Sequence, residues 1–297
     1  MKSLTITATL LSTITFIAQA EINVVASVKP VHSLVSAVME GIGVPDLIVK
    51  GAASPHTYAL KPSQAEQIEK ADLVFWMGHS LETFMEKPLE ALATRAMVVE
   101  LMDSEGLKKL KMREGGGFDE HDHDEHDEHD EHSKESHDEH GHGEFDVHVW
   151  LDPENAKVMA NEIMEALKKV DPGNANKYET NTKKIVEKLN RLVAEISAEL
   201  SPAKGKGFIV FHDAYQYFEE RFGLKAVGSI TVSPEVVPGV KRIKELKTKI
   251  KELNALCVFS EPQFKPKLVS TVVEGTKAKT GVLDPLGASI QNCPKLY

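Results

Sequence analysis

Short apolar runs alternate with longer amphipathic segments along most of this chain. The runs are rich in β-branched and aromatic residues and end at polar residues, which is the pattern of buried strands. The amphipathic segments repeat apolar residues at helical spacing, and two of them begin at Pro62 and Pro153. We predict strands at residues 22–27, 46–49, 73–77, 97–101, 207–211, 225–230, 256–260 and 281–283. This alternation predicts parallel sheets that are covered by helices on both faces.

One helix is predicted to be much longer than the others. It follows the turn sequence Asp171-Pro172-Gly173 and runs from about residue 174 to residue 200, before Pro202. A helix of about 27 residues spans about 40 Å, which is longer than one small domain. Its apolar stripe consists of Tyr178, Ile185, Leu189, Leu192, Ile196 and Leu200. We therefore predict an α/β protein with two parallel-sheet lobes, at residues 21–170 and 204–297, joined by a rigid helix at 171–203.

The N-terminus has the pattern of a secretory signal peptide. Lys2 is followed by an uncharged stretch that ends in Ala18-Gln19-Ala20, a small-x-small cleavage site. The stretch is short for a membrane span and contains many Ser and Thr residues. We predict that residues 1–20 are removed after Ala20 and that the protein is exported and soluble in its mature form. In an exported protein Cys257 and Cys293 either form one disulfide or remain free thiols.

Residues 119–143 form a histidine-rich acidic segment with no apolar face. The segment contains eight histidines, twelve acidic residues and one lysine, and the net charge of the whole chain is −10. The rest of the chain is therefore nearly neutral and offers no basic face for nucleic acid. We predict that residues 115–143 are a disordered loop whose histidine-rich part captures metal ions at low affinity, while an acidic solvated linker is the alternative. Its histidines are His121, His123, His126, His129, His132, His137, His140 and His142.

Three isolated histidines are the candidates for a tighter metal site. His56 lies in a loop after one predicted strand, and His212 directly follows another. Ligands of open α/β sheets bind beyond the carboxyl ends of the strands, so two facing lobes would bring these residues to one cleft with His148 and Asp284. Three imidazoles with a carboxylate or water form a tetrahedral zinc environment. Each residue alone has a simpler explanation, because a histidine after a strand is often structural and Asp284 could begin a turn.

Five separated sequence motifs carry a resemblance to a known family. They are SPHTYALKPSQ around His56, HVWLDPENA around His148, FHDAYQYF around His212, and the later motifs FSEPQF and VLDPLG. Together they resemble the ZnuA-type zinc-binding proteins, which are periplasmic solute-binding components of ABC importers (the cluster A-I family). The resemblance implies two α/β lobes joined by one long helix, and it implies His56, His148 and His212 as zinc ligands.

The chain departs from the family pattern at two places. Some relatives carry glutamate immediately before the first ligand, where this chain has Pro55, so the fourth ligand is expected to be Asp284, water or a loop group. The family usually continues beyond the DPLG turn into a helix that often supplies a cysteine for the counterpart of Cys257. Cys293 precedes that point, which leaves the pairing of Cys257 with Cys293 open.

The expected function is a monomeric zinc receptor that delivers Zn²⁺ to an inner-membrane ABC permease and is not an enzyme. Three imidazoles favour zinc over manganese, which prefers oxygen-rich sites. A manganese or iron receptor of the same family is one alternative. An exported zinc hydrolase is another, with Glu261 as the one candidate for its general base and no H-E-x-x-H motif. A protein that only buffers metal ions or mediates adhesion is the third.

Overall fold

The computed structural model describes residues 22–113, 118, 144–231, 238–252, 255–292 and 294. The predicted signal peptide, all eight histidines of the acidic segment and Cys293 lie outside the described residues. Cys257 is a free cysteine in the structure, so a disulfide between Cys257 and Cys293 is not confirmed.

The first lobe is built on a four-stranded parallel sheet. Its elements are β1 (Val24–Ala26), α1 (Lys29–Val38), β2 (Asp46–Leu47), α2 (Pro62–Lys70), β3 (Leu73–Trp76), α3 (Thr83–Leu92) and β4 (Met97–Glu100). The strand order is β2-β1-β3-β4, so β1 and β3 are the central strands. Every residue of these two strands is buried, which explains why the sequence shows continuous apolar runs there instead of alternation.

Two long helices follow the first sheet. They are α4 (Pro153–Val170) and α5 (Ala175–Leu200), and 3-10 turns at Pro172–Asn174 and Ser201–Ala203 extend α5 at both ends. Asp152 caps α4, because its side chain accepts the backbone N–H of Glu154 at 2.9 Å. At about 1.5 Å per residue, α5 is about 39 Å long.

The apolar stripe of α5 is more deeply buried in its N-terminal half than in its C-terminal half. Tyr178, Ile185 and Leu189 are buried in the first-lobe core, whereas Leu192, Ile196 and Leu200 are half-buried. The Asn181 side chain donates to the carbonyls of Val38 and Glu40 at 2.9 Å each, at the end of α1. The helix is therefore fixed to the first lobe by its N-terminal half and leads to the second lobe by its C-terminal half.

The second lobe repeats the topology of the first. Its elements are β5 (Phe208–Val210), α6 (Gln216–Phe222), β6 (Ala226–Ser229), α7 (Val240–Glu252), β7 (Cys257–Ser260), α8 (Lys267–Val273) and β8 (Lys279–Val282). All pairings are parallel, and the strand order is β6-β5-β7-β8. The predicted α/β fold, with two parallel-sheet lobes joined by one long helix, is confirmed.

Short irregular segments follow two of the candidate ligands. The residues after His148 form a 3-10 turn, Val149–Leu151. The helix after His212 begins at Gln216, with Tyr215 at its N-cap position and no side-chain cap. The Asp213 carboxylate accepts from Arg113 Nε, at 2.9 Å to Oδ2, and a side chain held by a distant guanidinium cannot cap the local backbone.

Several polar contacts join α6 of the second lobe to the first lobe. The Tyr217 hydroxyl donates to the carbonyl of Asp146 at 2.7 Å and accepts the backbone N–H of Leu110 at 2.9 Å. Arg221 donates to both carboxylate oxygens of Asp152 at 2.7 Å. These contacts fix how the strand ends of the two sheets face each other. Within the described residues, no helix has the length and apolar character needed to cross a bilayer.

Candidate metal centre

Three histidines from three different segments meet in the cleft between the lobes. His56 lies in the 3-10 turn Pro55–Thr57 after β2, His148 precedes the turn Val149–Leu151, and His212 follows β5. One ligand nitrogen from each lies within 4.8 Å of the others. The Nε2 atoms of His148 and His212 are 3.4 Å apart, and the rings meet edge to face. Three nitrogens at this separation can share one tetrahedral metal ion.

Two of the three rings have a buried carboxylate in contact with their Nδ1 atom. His148 Nδ1 lies 2.7 Å from Asp146 Oδ1, which also accepts the backbone N–H of His148 at 3.0 Å. His212 Nδ1 lies 2.9 Å from Glu261 Oε1 and 2.8 Å from Oε2. A neutral imidazole that donates its Nδ1–H to a carboxylate keeps the lone pair of Nε2 for a metal ion. Both rings are therefore held in the tautomer that binds metal through Nε2.

The surroundings move the pKa values of two of these histidines in opposite directions. Burial lowers the pKa of His56 to about 2, and repulsion from His148 and His212 acts in the same direction. Burial also opposes the charged form of His212, but the charge and hydrogen bond of Glu261 outweigh it and raise the pKa of His212 above its usual value. His56 is thus neutral at physiological pH. His212 holds its proton more strongly than an ordinary histidine and must release it before the ring can bind a metal ion.

Asp284 is not brought into this group. Its Oδ1 accepts the backbone N–H of Leu286 and the side-chain amide of Gln263, each at 3.3 Å, and its Oδ2 accepts from the backbone of Ser289 at 3.5 Å. The carboxylate therefore organises the turn that follows β8, which is the simpler explanation considered for it. Among the described residues, the group close enough to share an ion consists of the three histidines.

The space beside the three rings is small and is lined by residues of both lobes. The cavity has a volume of about 10 Å³, close to the minimum that holds one water molecule. It is lined by Ser54, Pro55, His56, His148, Trp150, His212, Glu261, Gln263, Phe264, Pro285 and Leu286. A fourth ligand of the size of water fits this geometry.

The contacts of Asp146 and Glu261 with the histidines were not predicted from the sequence. Asp146 lies two residues before His148, and this spacing could have suggested the contact. Glu261 was considered only as a catalytic base, because its 49-residue separation from His212 gives no local signal. His32 and His79 lie outside the group: His32 Nε2 contacts the Pro45 carbonyl at 3.0 Å, and His79 Nδ1 lies 3.4 Å from Glu100.

Comparisons with known proteins agree with this architecture. A family model described as ZnuA, zinc-uptake complex component A, periplasmic, matches residues 24–295. The high-affinity zinc uptake system protein ZnuA of Brucella abortus is 58% identical over 289 residues, which cover 92% of this chain and 86% of that protein. The ZnuA of Yersinia pestis is 37% identical over 275 residues, covering 90% and 84%.

Solved structures of other proteins resemble this structure over nearly the whole chain. A crystal structure of ZnuA matches with a TM-score of 0.75 at 25% identity, covering 91% of this chain and 93% of that chain. A ZnuA deletion mutant with zinc bound matches with a TM-score of 0.74, also at 25% identity, covering 91% and 92%. By its sequence from residue 24 to residue 295, this chain belongs to the ZnuA family.

Proposed function

We propose that this protein is a periplasmic high-affinity zinc receptor that delivers Zn²⁺ to an ABC import permease. The observation that carries the proposal is the convergence of His56, His148 and His212 within 4.8 Å in the inter-lobe cleft. These three residues are the proposed protein ligands, and water is the proposed fourth ligand. The relatives named as high-affinity zinc uptake proteins support zinc as the transported ion.

The donor set favours zinc over manganese or iron. All three converging donors are imidazole nitrogens, whereas manganese prefers carboxylate, carbonyl and water oxygens. The nearest carboxylates, Asp146 and Glu261, are turned toward the Nδ1 atoms and so act behind the rings instead of on the ion. An ion bound here would be held by neutral ligands whose orientation is fixed in advance.

The same contacts disfavour the zinc hydrolase. A catalytic zinc needs an open coordination position and a general base that is free to take a proton from water. Glu261, the candidate base, is buried and engaged with His212 Nδ1. A receptor, which releases its ion unchanged, needs no such base.

The histidine-rich segment at 119–143 is proposed as an accessory collector of zinc. Its composition supports many weak sites, because each imidazole is a metal ligand and the interleaved carboxylates raise the local cation concentration. A deletion of this segment that left zinc uptake unchanged under zinc scarcity would contradict that role.

Calorimetric zinc titration tests the proposed ligands. The proteins to compare are residues 21–297, the same chain without residues 119–143, and the deletion protein carrying His56→Ala. We expect one tight site that survives the deletion and is lost with His56→Ala. His79→Ala in the deletion background is the matched control, because His79 lies outside the cluster beside Glu100 and should leave the tight site intact. Loss of all tight binding on deletion of the segment would contradict the cleft assignment.

A further inference from the structure

The turn at residues 284–290 belongs to the second lobe by sequence but is docked on the first. It follows β8, yet the Leu286 side chain is buried in the first-lobe core. The backbone turns sharply at Gly287, whose φ of 64° is in the left-handed region that glycine adopts without strain. Asp284 organises the turn from within through the backbone N–H groups of Leu286 and Ser289.

Two first-lobe side chains hold the backbone of this turn. Trp150 donates its indole N–H to the Pro285 carbonyl at 2.8 Å. The Lys29 ammonium donates to the carbonyls of Gly287 at 2.6 Å and Ala288 at 3.2 Å, and also to that of Ile290. Lys29 is only 6% exposed, so these carbonyls replace part of the water that would otherwise solvate its charge. Hydrogen bonds from a charged donor are stronger than neutral ones, and losing them leaves a buried charge poorly solvated.

The same turn forms a wall of the metal cavity. Pro285 and Leu286 line the cavity together with His148 and His212, and Trp150 lines it from the first lobe. The Trp150 ring lies 5.2 Å from the ring of His148, centroid to centroid. Movement of the turn away from Lys29 and Trp150 would therefore open the cavity beside the proposed ligands.

We propose that residues 284–290 are an inter-lobe clasp, fastened by Lys29 and Trp150, that sets the rate at which the bound ion leaves the cleft. Lys29 is a positioning residue in this device, since it holds the wall and not the ion. Opening of the cleft for ion release must break its contacts with the second lobe. This inference rests on the proposed zinc-receptor function, because its first test measures the rate at which bound zinc is released.

The test compares zinc dissociation from the full mature chain and two variants. Lys29→Met keeps the length of the side chain without its donors, and Trp150→Phe keeps a ring without the indole N–H. With a chromogenic chelator in stopped-flow, we expect Trp150→Phe, which loses one hydrogen bond, to release zinc about tenfold faster. Lys29→Met loses three hydrogen bonds from a charged donor and should release zinc at least about tenfold faster. The association rate should change little in either variant. Lys70→Met is the matched control, because Lys70 contacts Glu66 on the surface of α2, and it should not change the rate.

Hydrogen–deuterium exchange of the peptide 283–292 in the metal-free protein supplies a readout that does not need zinc. Lys29→Met and Trp150→Phe should exchange this peptide faster than the wild type and Lys70→Met. If the wild type bound no zinc, the proposed function would be contradicted. The exchange data would still show whether Lys29 and Trp150 hold the turn at residues 284–290. Unchanged dissociation and unchanged exchange in a folded variant would overturn the clasp itself. Each of the two variants tests it independently, so the failure of one to fold leaves the other decisive.

Discussion

The two lobes share one sheet topology but use equivalent strand ends for different tasks. In both sheets the first strand of the lobe lies beside the third, in the orders β2-β1-β3-β4 and β6-β5-β7-β8. Three residues after β1 the first lobe has Lys29, which contacts the opposite lobe, whereas two residues after β5 the second lobe has His212, which belongs to the proposed metal site. The position in the sheet brings a residue to the cleft, and the residue type decides what it does there.

A buried glutamate follows the third strand of each lobe and repeats this contrast. Glu82 accepts the backbone N–H groups of Met77 and Gly78 at 2.8 and 3.0 Å and so fixes the chain beyond β3. Gly78 is required there, because its φ is 136° and a Cβ atom would come within 2.1 Å of the Glu100 carboxylate. Glu261 follows β7 and contacts an imidazole instead. One glutamate supports the backbone, and the other orients a ligand.

The largest expected effect is the loss of zinc affinity when a proposed ligand is replaced, which should exceed the loss when a residue that only contacts a ligand is replaced. His56→Ala and His212→Ala should each weaken zinc binding by more than about 100-fold, beyond the about 10–100-fold cost of losing an outer partner. His212→Ala should in addition lower the free energy of unfolding of the metal-free protein by about 1–3 kcal/mol, because it leaves the Glu261 carboxylate buried without its imidazole. Competition titration with a chelator and chemical denaturation measure the two quantities. Equal stability of the two variants would contradict the role assigned to Glu261.

Glu82→Gln should change the pH dependence of stability and not the affinity for zinc. Burial, aided by the charge of Glu100 and opposed by hydrogen bonds from the backbone of Gly78 and Met77, raises the pKa of Glu82 from its usual value of about 4.5 to about 7. Between these values the folded protein binds more protons than the unfolded chain, so the free energy of unfolding should fall as pH rises, by about 3 kcal/mol in all.

Denaturation of the metal-free protein at a series of pH values measures this contribution. Glutamine keeps an acceptor oxygen for the backbone N–H groups but cannot ionise, so the variant should lose that part of the slope between about pH 4.5 and 7. A wild-type slope that persists in Glu82→Gln would show that another group causes it. A large change in zinc affinity would contradict the division of roles between Glu82 and Glu261.

Much of the fold could be predicted because its signals are local. Local sequence patterns predict which residues are buried. Examples are the apolar runs of β1, β3 and β5 and the apolar stripe of α5. The meeting of His56, His148 and His212 could also be anticipated, since strand ends of facing parallel sheets share one cleft. These inferences need only the periodicity of the chain and the geometry of sheets.

The side-chain partners within the site could not be predicted in the same way. Which carboxylate stands behind His212 depends on the pairing of β5 with β7, which brings residues 49 apart in sequence within 2.9 Å. Asp284 was expected at the metal because it follows a strand, but its turn folds toward the first lobe and engages its carboxylate with the backbone. Lys29 gave no signal at all, because its acceptors are carbonyl groups some 260 residues away.

The smallest expected effect comes from replacing one of the two carboxylates that contact the Nδ1 atoms of His148 and His212. Glu261→Gln and Asp146→Asn each keep an acceptor oxygen for the imidazole N–H but remove its charge, so each should weaken zinc binding by about 10-fold, at the lower end of the cost of altering an outer partner. Glu261→Gln should also move the pH dependence. The Glu261 charge is the largest contribution that raises the pKa of His212, so proton competition for Nε2 should begin at lower pH in the variant.

Zinc affinities measured between about pH 5 and 8 separate these two effects of Glu261. Above the pKa of His212 the variant should bind more weakly than the wild type, because its ring is a less basic ligand. Below that pKa the two affinity curves should converge, because the wild-type ring holds its proton more strongly and loses more affinity to proton competition. Parallel curves at all pH values would mean that Glu261 only orients the ring. Converging curves would mean that the second lobe adjusts both the affinity of the site and the pH at which it releases zinc.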